Sequence, residues 1–183
     1  MQRELVERAA RGETEAFAAL TRLTSDRLYA IAYRILRDQY LAEDALQQTL
    51  ITIWNELPRL RDQDRFDAWA YRLIVRAAVA EARRERRGAA VPLLPGDADP
   101  SSGADDYRVV ADRDQLERGF RRLTPEQRAI LVLQHYAGLS LAEIADTLGI
   151  PAGTVASRLH YATRALRAAL EADGRAAPNG RLA

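Results

Sequence analysis

The chain has 183 residues, 48% hydrophobic and 29% charged, with a formal net charge of +1 at pH 7. That size allows one ordinary domain or two small ones, and that balance suits a soluble globular chain rather than a disordered one. Cysteine is absent and histidine occurs only as His135 and His160. This excludes disulfides, thiol catalysis and cysteine-ligated zinc; a carboxylate site for magnesium stays open on these counts, but no clustered Asp motif argues for one, and no metal and no cofactor is expected. No apolar run is long enough to span a bilayer, and the charged start MQRELVERAARGETEAF lacks a signal-peptide core. A cytoplasmic protein without membrane insertion is expected.

Charge is unevenly spread. Residues 1–90 carry 16 Arg against 14 acids and residues 116–183 carry 9 Arg against 6, while 91–115 hold 2 Arg against 6 acids. The acidic stretch contains VPLLPGDADPSSGADD (91–106), rich in Pro, Gly, Ser and Asp and free of apolar periodicity. It reads as a flexible linker between two helical blocks. No strand-like alternation stands out, so the fold expected is all-α, with two small helical domains.

In chain order, a first helix is predicted from Thr14 to about Leu36. Asp38 caps a second, from about Gln39 to Leu57, which Pro58 closes. Leu41, Leu46, Leu50, Ile53, Trp54 and Leu57 are assigned to its apolar face, and Glu43, Asp44, Gln47 and Gln48 to the opposite side. That polar, acidic face suits either solvent or a basic protein partner. The loop 58–65 leads to a third helix, Phe66 to about Arg87, with a core stripe of Phe66, Trp69 or Ala70, Leu73, Ala77 and Ala80. Arg72, Arg76, Arg83 and Arg87 fall within a sector of roughly 60° at about 100° per residue. Such a stripe either tracks a phosphate backbone or is simply solvated. Tyr71 is expected at the surface, beside these arginines.

After the linker a short helix is predicted around 109–121. Thr124, Pro125 and Gln127 then form a capping box with Pro at the first helical position, and Gly138 ends that helix. Ser140 and Glu143 make a second box, Gly149 ends its short helix, and a last helix runs from about Ala152 to about Ala172. The stretch 140–166 has the pattern of a helix-turn-helix, with Ala145 at the crossing, Gly149 in the turn and Leu148, Ile150, Val155 and Leu159 as the seam. Thr154, Ser157, Arg158, His160, Tyr161 and Arg164 then face outward, where short polar groups and Arg reach base edges. Gly153 and Thr154 suit a phosphate at a helix N-terminus, and Arg128 suits a backbone contact. A helical hairpin used only for packing is the plain alternative.

These segments resemble a known family. YLAEDALQQTLITIWNELPRL (40–60) is similar to region 2.2 of extracytoplasmic-function (ECF) sigma factors. RFDAWAYRLIVRAAVAEARRERR (65–87) is similar to regions 2.3 and 2.4, and 123–170 to region 4. The resemblance implies a region 2-like domain at 1–88, a linker at 89–115, a region 4-like domain at 116–172 and a polar tail at 173–183. It implies that Asp44, Gln47, Gln48 and Trp54 dock on the clamp coiled-coil of the largest subunit of core RNA polymerase, whose flap is a further contact. It also implies that Arg61, Asp64, Arg65, Tyr71, Arg72, Arg76 and Arg83 handle the −10 element. Promoter DNA at −35 falls to Arg128, Gly153, Thr154, Ser157, Arg158, His160, Tyr161 and Arg164. An anti-sigma factor packing against both apolar-edged domains is a further implied partner, and nucleoid association is expected within the holoenzyme. Three positions depart from the family's habit: Ala156 where many relatives have Lys, Ala77 where Asn is frequent, and Gln48 where an acid is common.

Two other readings remain at this point. One is a conventional helix-turn-helix regulator that binds an operator without polymerase. The other is an all-helical enzyme, for which no nucleophile–base pair, ligand spacing or Gly-rich phosphate loop is present.

Overall fold

The computed structural model describes residues 2–88 and 115–176; the linker and the polar tail lie outside them. The first helix, α1 (Gln2–Ala10), has no counterpart among the sequence expectations. It is short and charged, but its Val6 and Ala9 are buried against the next helix, and that packing supplies what local propensity cannot. An Arg8–Glu13 ion pair of 2.8 Å closes the turn that follows.

α2 (Thr14–Leu36) buries Leu20, Leu28, Ile31, Ala32 and Ile35 along one side. It ends on Arg37, a left-handed residue (φ 60°) whose N–H donates to the Tyr33 carbonyl at 2.7 Å. α3 (Gln39–Glu56) starts as expected, with the Asp38 carboxylate accepting from the Leu41 N–H at 2.9 Å. Its buried face is only partly the one expected, with Ile53 and Leu57 enclosed as foreseen. Ala42, Ala45, Thr49 and Ile53 point inward, the three leucines lie on the shoulder, and Trp54 stands 41% exposed. Small residues win the inner face because they let α3 lie close against α2 and α4.

Two single 3-10 turns, Leu57–Arg59 and Gln63–Arg65, lead into α4 (Phe66–Gly88). Here too the core stripe differs by one position. Phe66, Ala70, Ile74, Ala78 and Ala82 are buried at four-residue steps, with Tyr71 and Val75 beside them, while Ala80 is exposed. Spacings of three and four fit adjacent stripes almost equally well, and the facing helix decides between them.

The second unit opens with α5, described over 115–121; residues 109–114 of the expected helix lie outside the described part. Gly119 lies at a close approach. A Cβ at that position would meet Leu170 Cδ2 at 2.9 Å and Leu166 Cδ1 at 3.1 Å, so α5 approaches the last helix closely. α6 (Pro125–His135) and α7 (Leu141–Leu148) carry both expected capping boxes, each with its two reciprocal bonds. Gly149 takes the left-handed conformation (φ 66°) between α7 and α8 (Ala152–Ala176). Ile144 and Val155 are fully buried at this crossing, with Leu148 and Ile150 packed around them.

The two units are not separate bodies. α6 buries Ala129, Ile130, Leu131, Val132 and Leu133 in succession, too wide a belt for a one-sided helix. One side meets α2 and α4; the other meets α8. Ala129, Val132 and Leu133 join the core of the first unit, whereas Leu131 packs with Leu123 and Ala162 in a smaller second core. The run AILVL was visible in the sequence as a signal that α6 is covered on more than one side.

Candidate functional site

The outer face of α3 is an open surface. Asp44, Gln47 and Gln48 are all exposed, and Trp54 lies on the same side with its ring edge-on to Phe17, centroids 4.7 Å apart. Ile51, which sequence reasoning missed, stands 48% exposed between them. The spacing 44, 47, 48, 51 and 54 marks one helical face, and that was the available signal. The result is an apolar centre with an acidic edge, its indole held in place by an aromatic contact.

The arginines of α4 and the turn before it are differently placed. Arg61 and Arg76 are exposed. Asp64 accepts from Arg3 of α1 at 2.9 Å. Arg65 pairs with the Asp146 carboxylate of α7, and Arg83 pairs with Glu126 of α6 at 2.9 Å. Arg72, half-buried, donates to the backbone carbonyls of Asp146 and Thr147. Those carbonyls belong to the last turn of α7, where a cation is favoured, and the Asp146 carbonyl also accepts from the Gly149 N–H at 3.3 Å. Between the units lies a cleft of about 330 Å³, floored by Val79, Ile130, Leu148 and Ile150 and rimmed by Arg76 and Arg158.

Two expected contacts are corrected. Tyr71 is only 4% exposed: it lies on the buried side of α4 with the Arg27 guanidinium 5.2 Å from its ring centre. Burial outweighs that cation and pushes its phenol up to about 12. Arg128 is 8% exposed rather than available to a DNA backbone, because α6 turns it toward the end of α2. There its Nη1 donates to the Leu36 carbonyl at 3.4 Å. Burial, then the neighbouring positive charges of Arg37 and Arg86, bring its pKa down to about 10.

On α8 the expected division holds. Val155, Ala162 and Ala169 are buried, while Ser157, Arg158, His160, Tyr161 and Arg164 are exposed on the outside. Tyr161 is 63% exposed and meets the His160 ring edge-on at 5.8 Å. Gly153 is exposed and open, with nothing within 4 Å of a Cβ built on it; Thr154 is partly buried beside it. The Ser157 hydroxyl donates to the Thr154 carbonyl at 3.0 Å. Among the described residues no group of three His, Asp or Glu could hold a metal ion, and no helix is long and apolar enough to cross a membrane.

Residues 20–88 match the family Sigma-70 region 2, and residues 119–168 match Sigma-70, region 4. Over 173 residues the chain is 36% identical to the ECF RNA polymerase sigma factor SigL of Mycobacterium tuberculosis (strain ATCC 25618 / H37Rv), covering 89% of this chain and 96% of that protein. The chain belongs to the ECF sigma factors. It is 26% identical over 181 residues to the ECF RNA polymerase sigma factor SigW of Bacillus subtilis (strain 168), covering 91% of this chain and 95% of SigW. Its fold is also that of CnrH, solved with the cytosolic domain of CnrY (TM-score 0.66, 26% identity, 94% of this chain and 98% of CnrH). The sigma factor RpoE of Bartonella quintana, solved with the anti-sigma factor NepR, shares the fold at 22% identity (TM-score 0.68, 87% of this chain and 99% of RpoE). This sigma factor therefore serves transcription initiation by RNA polymerase, in a family that is not one of catalytic enzymes.

Proposed function

We propose that this sigma factor divides its work between three surfaces. The α3 face of Asp44, Gln47, Gln48, Ile51 and Trp54 docks on the clamp coiled-coil of the polymerase's largest subunit. Arg61, Asp64, Arg65, Arg72, Arg76 and Arg83 handle the −10 strand. The exposed side of α8, with Gly153, Thr154, Ser157, Arg158, His160, Tyr161 and Arg164, reads the −35 duplex, and the second unit also meets the polymerase flap. In these terms 1–88 is the docking and −10 unit, 89–115 a linker and 116–172 the −35 unit. Tyr71 and Arg128 are left out because both are buried.

The α3 surface carries this reading. Its inner side is committed to the core, so Ile51 and the exposed part of Trp54, edged by Asp44, suit a basic, partly apolar partner. No covalent chemistry follows from it. Extruding a base from the duplex costs a few kcal/mol, which binding to polymerase and to the extruded strand repays without nucleotide hydrolysis. An anti-sigma factor belongs to the same reading, supported by the fold shared with RpoE, which was solved with one. So do a cytoplasmic location and association with the nucleoid in the holoenzyme.

The test is run-off transcription with purified core polymerase on promoter fragments from the parent genome. Specific initiation should require the protein and drop at least tenfold in the Asp44→Arg, Gln47→Arg double variant. If the protein shifts DNA without polymerase while no start site depends on it, a conventional regulator is the better description.

A further inference from the structure

α1 lies ahead of the residues that match Sigma-70 region 2, yet its first turn reaches the segment between α3 and α4. The Arg3 guanidinium is held between two carboxylates. Its Nε donates to Glu7 of its own helix at 3.0 Å, and its Nη1 donates to both oxygens of Asp64, at 2.9 and 3.2 Å. One residue earlier, the Gln2 amide donates to the Asp67 carboxylate at 2.7 Å. Asp62 is engaged as well, accepting from the Asp64 N–H at 3.1 Å. Every carboxylate of the segment 61–67 is thus bonded within the chain, two of the three by α1, while Arg61 stands exposed. We propose that α1 is a brace for this turn, with Arg3 and Gln2 as positioning residues that fix its shape for the −10 strand. The inference rests on the −10 role given to the turn.

The brace has a firm base. Val6 is fully buried and Ala9 nearly so, which ties α1 to α2, and Leu57, 1% exposed, anchors the near end of the segment. Beyond Leu57 the segment has little to fix it from below: Leu60 is partly buried and 61–65 are polar. Its backbone bonds are local, from the Leu60 N–H to the Leu57 carbonyl at 3.0 Å and from the Arg65 N–H to the Asp62 carbonyl at 3.2 Å. Single 3-10 turns of this kind have poor hydrogen-bond geometry and hold their shape weakly. The bonds from α1 add charge-assisted contacts from outside the segment, and the Arg3 cation offsets the Asp64 charge beside a strand of phosphates. Arg3 and Asp64 are 61% and 62% exposed, so the pair is worth at most a factor of about five in an equilibrium. That is small for folding but enough to bias a turn, and apparent affinity scales with the fraction in the competent shape. A loosened turn also adapts to the wrong bases, so discrimination falls with it.

The test uses holoenzyme assembled from purified core polymerase and two labelled single-stranded oligonucleotides. One carries the non-template −10 strand of a promoter mapped by run-off, and the other carries the same bases scrambled. Arg3→Gln should weaken binding of the promoter strand about two- to fivefold. It should leave the scrambled strand unchanged, because that strand is held through its phosphates alone. Affinity for core polymerase should not move, since the α3 face is untouched. An equal loss on both strands overturns the inference, because Arg3 is then a plain phosphate contact. Parallel loss of core affinity also overturns it, as the mark of a general structural role, and so does discrimination that Arg3→Gln leaves intact. Arg61→Ala keeps the two readings apart. If it weakens the promoter strand while Arg3→Gln leaves discrimination intact, only the brace has failed; if neither variant changes anything, the −10 role of the turn has failed with it.

Discussion

The two long exposed stripes of the first unit lie in opposite conditions. On α3, Asp44, Gln47, Gln48, Ile51 and Trp54 stand open to any partner, whereas on α4 and its preceding turn Arg65, Arg72 and Arg83 are engaged by the second unit. Both faces belong to one bundle and share α2 as support, so the difference does not come from local stability. It comes from where α6 and α7 sit. One stripe is left free for a partner and the other is already partnered within the chain.

The largest effect that sharpens this comparison contrasts two isoleucines. Ile74 on the buried side of α4 is fully enclosed, so Ile74→Ala should cost about 2–5 kcal/mol of unfolding free energy by chemical denaturation. Ile51→Ala on the open face should change stability by no more than about 0.5 kcal/mol while weakening core polymerase binding about tenfold. Equal stability losses would mean that α3 is not an open face.

Next comes the element that holds the α4 arginines. Ser140→Ala removes the cap of α7 and should cost about 1 kcal/mol. It should also alter the acid limb. The Ser140 hydroxyl, helped by its backbone N–H, holds the Glu143 carboxyl below its ordinary 4.5. Its contribution is therefore present above that value and is lost as pH falls through the lower folded one. Without the hydroxyl, that part of the fall below pH 4.5 should flatten in an acid unfolding curve.

The smallest effect tests the buried charge of α6. Arg128→Met replaces a buried cation, held by one long bond to the Leu36 carbonyl, with an apolar chain, so stability should stay within about 1 kcal/mol of the parent or rise. A loss of several kcal/mol would show that Arg128 is satisfied after all and would break the contrast.

How much of this was legible depended on range. The Asp38 cap, the two capping boxes and the Gly149 turn are set by residues within four positions of each other, and each stands where the sequence placed it. The exposed side of α8 followed from Val155 and Leu159 alone. Tyr71 was placed on the wrong side, and Trp54 was given both to the apolar face and to the docking face, because α3 and α4 each offer two apolar stripes about 100° apart, and the facing helix chooses. α1 escaped notice because its two buried residues have no meaning without α2. The engagement of Arg72 and Arg128 joins residues 75 and 92 positions apart, a pairing that no local pattern contains.

Every one of the 27 basic residues is arginine. A clasp built on lysine ammonium groups would fade in alkaline surroundings and could be silenced by acetylation. Guanidinium keeps its charge at any acidity a living cell reaches, and even Arg128, at about 10, stays cationic at neutrality. The contacts between the units are therefore deaf to cytoplasmic pH and beyond the reach of lysine-directed modification. What remains to compete for them is another anion, and for a protein of this family the densest polyanion at hand is the nucleic acid itself.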